Sequence, residues 1–182
     1  VTSTNSNSSA HSSISTKTTA ETRDDGVNDD GVNNANPFNR RVIEEFRANE
    51  GRVGGPFEGA SLLLLTTRGA KSGLPRTTPA VYLPDPPAAA TDAAHDRLIV
   101  FASNGGSEKA PGWYHNLVKD PSVVVEVGGE RYAALATPVD AREHDELWRR
   151  QIERDPNFAE FRDRAPRTIP VIALTRAGHT SG

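Results

Sequence analysis

From residue 37 onward the apolar positions gather in short runs cut by glycine and proline, and strand-like and helix-like spacings alternate among them. Residues 62–65 are consecutive leucines ending in Thr66 and Thr67, a run too short for an amphipathic helix. Gly69, Gly73 and Pro75 punctuate the next stretch, and a second apolar run reaches Leu83. Strand, basic turn, strand is the simplest reading of residues 62–83, with Lys71 and Arg76 in the connection. Residues 97–103 predict a further strand, residues 123–127 and 132–139 a tight hairpin around Gly128-Gly129, and residues 168–174 a final strand.

Helical spacing falls before and between these runs. Asn36-Pro37 is a cap followed by a first-turn proline, Phe38, Val42, Ile43 and Phe46 share one face, and Gly51 is the stop. Residues 113–117 predict a short helix stopped by Asp120-Pro121. Residues 141–155 place Leu147, Trp148 and Ile152 inward, and Pro156 begins another short helix bearing Phe158 and Phe161. The polar, proline-rich run 84–96 predicts a long surface hairpin loop. About six strands joined mostly as hairpins, with helices inserted, predict an α+β chain built on an antiparallel barrel or sheet rather than a doubly wound one.

Composition changes this picture at the chain's start. Residues 1–36 lack leucine and aromatic side chains, and serine, threonine and asparagine make up more than half of them. Such a segment cannot bury enough surface to offset ordering, so it is expected to be a disordered polar tail, and its repeated DDGVN a solubilising linker. One domain is expected over residues 37–176, with residues 177–182 a flexible terminus. The tail holds two basic and five acidic side chains, which accounts for the whole net charge of −3. A body with balanced charge argues against nucleic acid as a partner. The tail also lacks an apolar signal region or a basic amphipathic face, so a cytoplasmic protein without stable membrane insertion is expected.

Metal and covalent chemistry find little footing. His11, His95, His115, His144 and His179 are scattered, there is no cysteine, and no Gly-x-Ser-x-Gly elbow occurs. The glycine-rich turn with Lys71 and Arg76 is a natural anion seat, since backbone N–H groups can converge there and the side chains neutralise charge; a merely solvated loop is the competing reading. It is not a nucleoside-triphosphate loop, because Leu65 stands where the upstream glycine is required. No Gly-x-Gly-x-x-Gly links a strand to a helix. A second glycine-rich loop, residues 104–112, leads into Trp113-Tyr114, which could cover a flat ring or simply anchor the core through Trp113 and Leu117. Two such loops fit an anionic organic cofactor that carries the chemistry itself.

Four stretches, in order, carry a likeness: TTRGAKSGLPR at residues 66–76, ASNGG at 102–106, PGWYHNL at 111–117 and RTIP at 167–170. Together they resemble the deazaflavin-dependent nitroreductase family, and FRAN at 46–49 with GGPF at 54–57 is similar to its quinone reductase branch. The resemblance implies a split β-barrel with peripheral helices, binding coenzyme F420 and passing a hydride to a quinone or other electron-poor, small hydrophobic acceptor. It implies Lys71, Ser72 and Arg76 on the anionic tail of the cofactor, with Thr77 and Thr78 also among the cofactor-binding residues. Pro79, Ala102, Ser103 and Asn104 would line the middle and ring, and Trp113, Tyr114 and Asn116 would flank the ring and acceptor pocket. No catalytic side chain and no metal are implied. Phe158 and Phe161 stand where some relatives carry tyrosines, which keeps an apolar cover and removes an O–H donor. A flavin mononucleotide oxidoreductase on a similar barrel, and a cofactor-binding module without turnover, are the alternatives. Any contact with the inner face of the plasma membrane would be transient, and a monomer or homodimer is expected.

Overall fold

The four leucines of residues 62–65 are all buried, because the strand that carries them is covered on both faces. The computed structural model describes residues 34–85 and 97–178. In it β1 (Leu62–Arg68) pairs antiparallel with β2 (Pro75–Asp85), and β2 with β3 (Arg97–Phe101). After α2 (Gly112–Lys119) come β4 (Ser122–Val127) and β5 (Glu130–Pro138), which form the predicted hairpin. Helices α3 (Ala141–Arg154) and α4 (Asn157–Arg164) precede β6 (Val171–Arg176), and α1 (Pro37–Ala48) precedes β1. The strands close into an antiparallel barrel in the order β1-β2-β3-β6-β5-β4. Closure removes the exposed edges that an open sheet would leave.

Alternation along β1 explains its burial. Leu63 and Leu65 meet Val100, Val125, Ala134, Ile172 and Leu174 in one cluster, into which Trp113 and Leu117 of α2 also insert. Leu62 and Leu64 face the other way, against Val42, Ile43 and Phe46 of α1. Each such side chain contributes about 1.5–3 kcal/mol when fully buried. A third cluster sets Ile99, Phe101 and Ala173 against Leu147 and Trp148 of α3 and Phe158 of α4.

The caps behave as their residue types require. Asn36 Oδ1 accepts from Phe38 N at 2.9 Å, and Asp140 Oδ1 accepts from Arg142 N and Glu143 N. Gly51, the predicted stop, has φ +91°, and a Cβ there would lie 2.7 Å from Gly128 Cα. Two backbones meet at that point, so glycine is required for contact as well as for conformation.

Two expectations, the burial of Phe38 and the start of the final strand, need correction. Phe38 is 40% exposed and leans on Phe57 instead of entering the core, because it lies in the first turn of α1, ahead of the face that packs on β1. On α3, Ile152 packs against the Leu147 and Trp148 cluster as the spacing indicated, with Gln151 buried next to it. The final strand begins at Val171, three residues later than the apolar run indicated, since its pairing with Phe101 starts there. The repeat in the tail, nearly all of the tail itself, most of the 84–96 loop, and His11, His95 and His179 lie outside the described residues.

At one end of the barrel Asp85 accepts hydrogen bonds from Arg97 and Arg150, and Arg97 also donates to Glu143. Burial pushes the Asp85 carboxyl up, yet the bonds from Arg150 and Arg97 outweigh it and hold the carboxyl below the usual aspartate range. Stability from a depressed carboxyl is present above its unfolded value and is lost as pH falls through the folded one. Asp85→Asn is therefore expected to lower Tm at neutral pH, with the gap from wild type narrowing below about pH 4. Thermal melts from pH 7 to pH 3 check this; a gap that is constant with pH would show that the carboxylate charge is not what matters.

Among the described residues, no helix is long and apolar enough to cross a membrane. Nor could any group of three or more His, Asp or Glu among them hold a metal ion.

Candidate functional site

A cleft of about 780 Å³ runs along β2 from Arg76 to Val81 and is walled by three separate parts of the chain. Asn34, Asn36 and Asn39 form one wall, together with Pro56 and Phe57 of a short 3-10 turn. Ser103, Asn104, Pro111, Gly112 and Trp113 form the second. The third is the α3–α4 corner, with Asp155, Asn157, Phe158 and Phe161.

Of the residues singled out from sequence, Arg76, Thr78, Pro79, Ser103, Asn104, Trp113 and Asn116 come together on this cleft. Lys71 and Ser72 line an adjoining hollow of about 430 Å³ with Arg68 and Lys119. Ser72 Oγ lies 3.5 Å from Arg76 Nη2, so the two recesses meet at that pair. Three expected residues are not in the lining. The Thr77 side chain is buried, with its hydroxyl 2.8 Å from Thr66 Oγ1 across the β1–β2 pair. Ala102 is wholly buried in the barrel cluster. Tyr114 packs against the same cluster and meets His115 edge-on at 5.7 Å; it stands about 100° around α2 from Trp113, whereas Asn116, three residues on, shares the Trp113 side. Trp113 is a buried core anchor and also reaches the cleft.

Asn116 ties α2 to the end of β1 and the turn that follows it. Its Oδ1 accepts from Ala70 N at 3.0 Å, and its Nδ2 donates to Thr67 Oγ1 at 3.1 Å. The position of the Lys71 turn is therefore set by α2 as well as by the hairpin. The second loop is held by Arg167. Its Nη2 donates to Ala102 O at 2.9 Å and Ser103 O at 3.2 Å, and its Nε donates to Ser107 O at 3.1 Å. Gly106 in that loop has φ +80°, and a Cβ there would lie 2.7 Å from Phe161 O, so the loop and α4 touch backbone to backbone. Asn104, also at positive φ, donates from Nδ2 to Lys109 O at 3.0 Å.

Several wall residues carry no signal in the sequence. Asn34 belongs to the segment that composition assigns to the tail, yet its Nδ2 donates to Thr77 O at 2.8 Å and it lines the cleft. Phe57 and Pro56 lie within the GGPF likeness, but nothing local shows that they face β2. Asp155 and Asn157 have the residue types of a plain helix junction.

Chemically, the cleft has the Arg76 guanidinium at one end of β2 and, toward the Val81 end, the phenylalanine rings with the Asp155 carboxylate beside them, along with hydroxyl and amide groups. That distribution fits an elongated ligand with an anionic end and a flat, less polar end. Residues 38–176 match the sequence model of the F420H(2)-dependent quinone reductase family. An F420H(2)-dependent quinone reductase of Mycobacterium tuberculosis is 38% identical over 135 residues, spanning 72% of this chain and 85% of that protein. A solved F420-H2 dependent reductase, FDR-A, is 30% identical with a TM-score of 0.54, covering 63% of this chain and 93% of that one. A structure described as a domain-swapped dimer is 27% identical with a TM-score of 0.55, covering 74% and 91%.

Proposed function

The chain belongs to the F420H(2)-dependent quinone reductase family, and from that premise we propose that the cleft along β2 is where it binds reduced coenzyme F420 and an electron-poor acceptor. It is an oxidoreductase that transfers a hydride from reduced F420 to a quinone. The flavin mononucleotide alternative draws no support from the relatives. When bound, the reduced deazaflavin supplies the hydride.

The protein's own groups bind, orient and exclude water. Arg76 in the cleft, with Lys71 and Ser72 in the adjoining hollow, would take the phosphate and carboxylates. Thr78 and Pro79 at the β2 wall, and Ser103 and Asn104 opposite, would set the ring's position. Trp113, Phe158 and Phe161 would cover the apolar end, where water would otherwise compete. The O–H donors in the lining are Thr78 and Ser103, and Phe158 and Phe161 offer none, so the acceptor's proton would come from solvent, directly or passed on through one of these hydroxyls, which regains its own proton from water. A membrane-borne quinone would be met by transient contact from the cytoplasm. The working unit would be a monomer or a homodimer, the latter in line with the relative described as a dimer.

The observation that carries this reading is the polarity of a single cleft, cationic at Arg76 and aromatic at Phe158. Its test is a fluorescence titration with oxidised F420. Lys71→Ala combined with Arg76→Ala is expected to weaken binding by about 1.5–3 kcal/mol for each charge-assisted bond removed, without loss of the far-ultraviolet circular dichroism. Unchanged affinity in the double variant would overturn the assignment of the anionic end.

A further inference from the structure

The formally charged side chains lining the cleft are Arg76 and Asp155. They sit at opposite ends. Arg154 Nη2 donates to Ser61 Oγ at 2.7 Å, and Ser61 O accepts from Tyr82 N, which places the end of α3 beside the Val81–Tyr82 end of β2. Arg76 lies at the other end of the strand, opposite Thr67 where Val81 is opposite Leu62. Five residues of extended chain separate Arg76 from Val81, about 17 Å. That is about two Debye lengths at physiological ionic strength, so Arg76 does little to neutralise Asp155.

Asp155 is fixed rather than waving in solvent. It caps the C-terminus of α3, its backbone N–H donates to Gln151 O at 2.8 Å, and its Oδ1 accepts from Asn157 N at 3.1 Å. It forms no ion pair among the described residues. Asp155 lines the same part of the cleft as Phe158 and Phe161, three and six residues further along the chain.

Resting on the cleft as the shared cofactor and acceptor site, we propose that Asp155 is a specificity-determining residue that turns away anionic acceptors and favours neutral ones. A quinone entering beside Phe158 loses water on its apolar face. A sulfonate, carboxylate or ionised hydroxyl on its ring would then meet a like charge at the cleft wall, whereas an uncharged ring meets none. The same charge reinforces the cofactor's orientation, since an anionic end is drawn toward Arg76 and repelled from Asp155. Quinone reduction is established for the family; the selection by acceptor charge is the new step.

The test compares kcat/KM for 1,4-naphthoquinone and for 1,4-naphthoquinone-2-sulfonate with reduced F420, in wild type, Asp155→Asn and Asp155→Glu. Each substrate's redox potential cancels when variants are compared as ratios. Asp155→Asn keeps an oxygen for Asn157 N, and it is expected to raise the sulfonate-to-neutral ratio about five- to tenfold at low salt. The gain should shrink in 0.5 M salt, and Asp155→Glu should keep the wild-type ratio. A second readout needs no turnover: 2-naphthalenesulfonate binding to the protein loaded with oxidised F420, followed by tryptophan fluorescence, should tighten to a similar degree in Asp155→Asn. Changes below twofold in both readouts overturn the proposal while leaving the cleft assignment standing. Failure of wild type to reduce either quinone, despite tight F420 binding, overturns the acceptor site and this proposal with it.

Discussion

Arg47→Ala is expected to destabilise the fold by about 2–4 kcal/mol, a fall in Tm of about 6–12 °C for a domain of this size. Arg47 lies in the last turn of α1, and its Nε and Nη2 donate to Glu126 Oε1 and Oε2, each at 3.0 Å. Glu126 is a β4 residue only 8% exposed, and its strand pairs with β1 at Leu64. Removing the guanidinium leaves a carboxylate with little water and its bidentate partner gone, so the cost is mainly that of the stranded charge. Arg47 itself keeps a side chain 31% exposed, which places the expected loss below that for a fully buried pair. Arg47→Lys should recover part of the loss, because an ammonium restores charge without the fork. Arg47→Met with Glu126→Leu should recover most of it by removing the buried charge altogether. Thermal and urea melts check the series; a double variant as unstable as Arg47→Ala would show that packing around the guanidinium, not desolvation, sets the cost.

Arg167→Ala is expected to act on function more than on fold. The guanidinium gathers the carbonyls of Ala102, Ser103, Ser107 and Lys109, which otherwise belong to a loop with no strand partner. Charge-assisted bonds of this kind contribute about 1.5–3 kcal/mol each, and a shared donor makes them non-additive, so about 2–4 kcal/mol of loop order is at stake. Ser103 and Asn104 are on that loop, hence F420 binding should weaken by about tenfold or more while most of the barrel remains protected. Arg167 is a positioning residue, since it reaches the cleft only through the backbone it holds. Arg167→Lys should rescue little, because an ammonium cannot span carbonyls arranged this widely. Hydrogen exchange should rise at residues 103–110 and stay low in β1 and β6. Normal affinity and normal exchange in Arg167→Ala would show that the loop holds its shape without the guanidinium.

Much of the fold was legible because local chemistry and tertiary packing agree in this chain. The Asn36-Pro37 cap, the Gly128-Gly129 hairpin and the strand, turn and strand of residues 62–83 each come from residue types that admit few alternatives. The misjudged positions are ones where a neighbour decides. Phe38 satisfies helical spacing, but the first turn of α1 has Phe57 for company and not the barrel. Residues 168–170 read as strand until the register with β3 fixes the start at Val171.

For the site the division is similar. Arg76, Ser103, Asn104 and Trp113 could be named from glycine-rich loops and a family likeness. Thr77, Ala102 and Tyr114 could not be separated from them, since neighbours in sequence point in different directions on a strand or helix. By itself the sequence determined the type and order of most elements, a glycine-rich turn carrying Lys71 and Arg76, and a likeness to deazaflavin enzymes, because all of these are written in short-range spacing. The tertiary structure alone decided that Asn34, Phe57, Asp155 and Phe158 share one cleft, and that its two charges stand at opposite ends. Barrel closure brings those residues together across more than a hundred positions, and no local periodicity records a contact of that range.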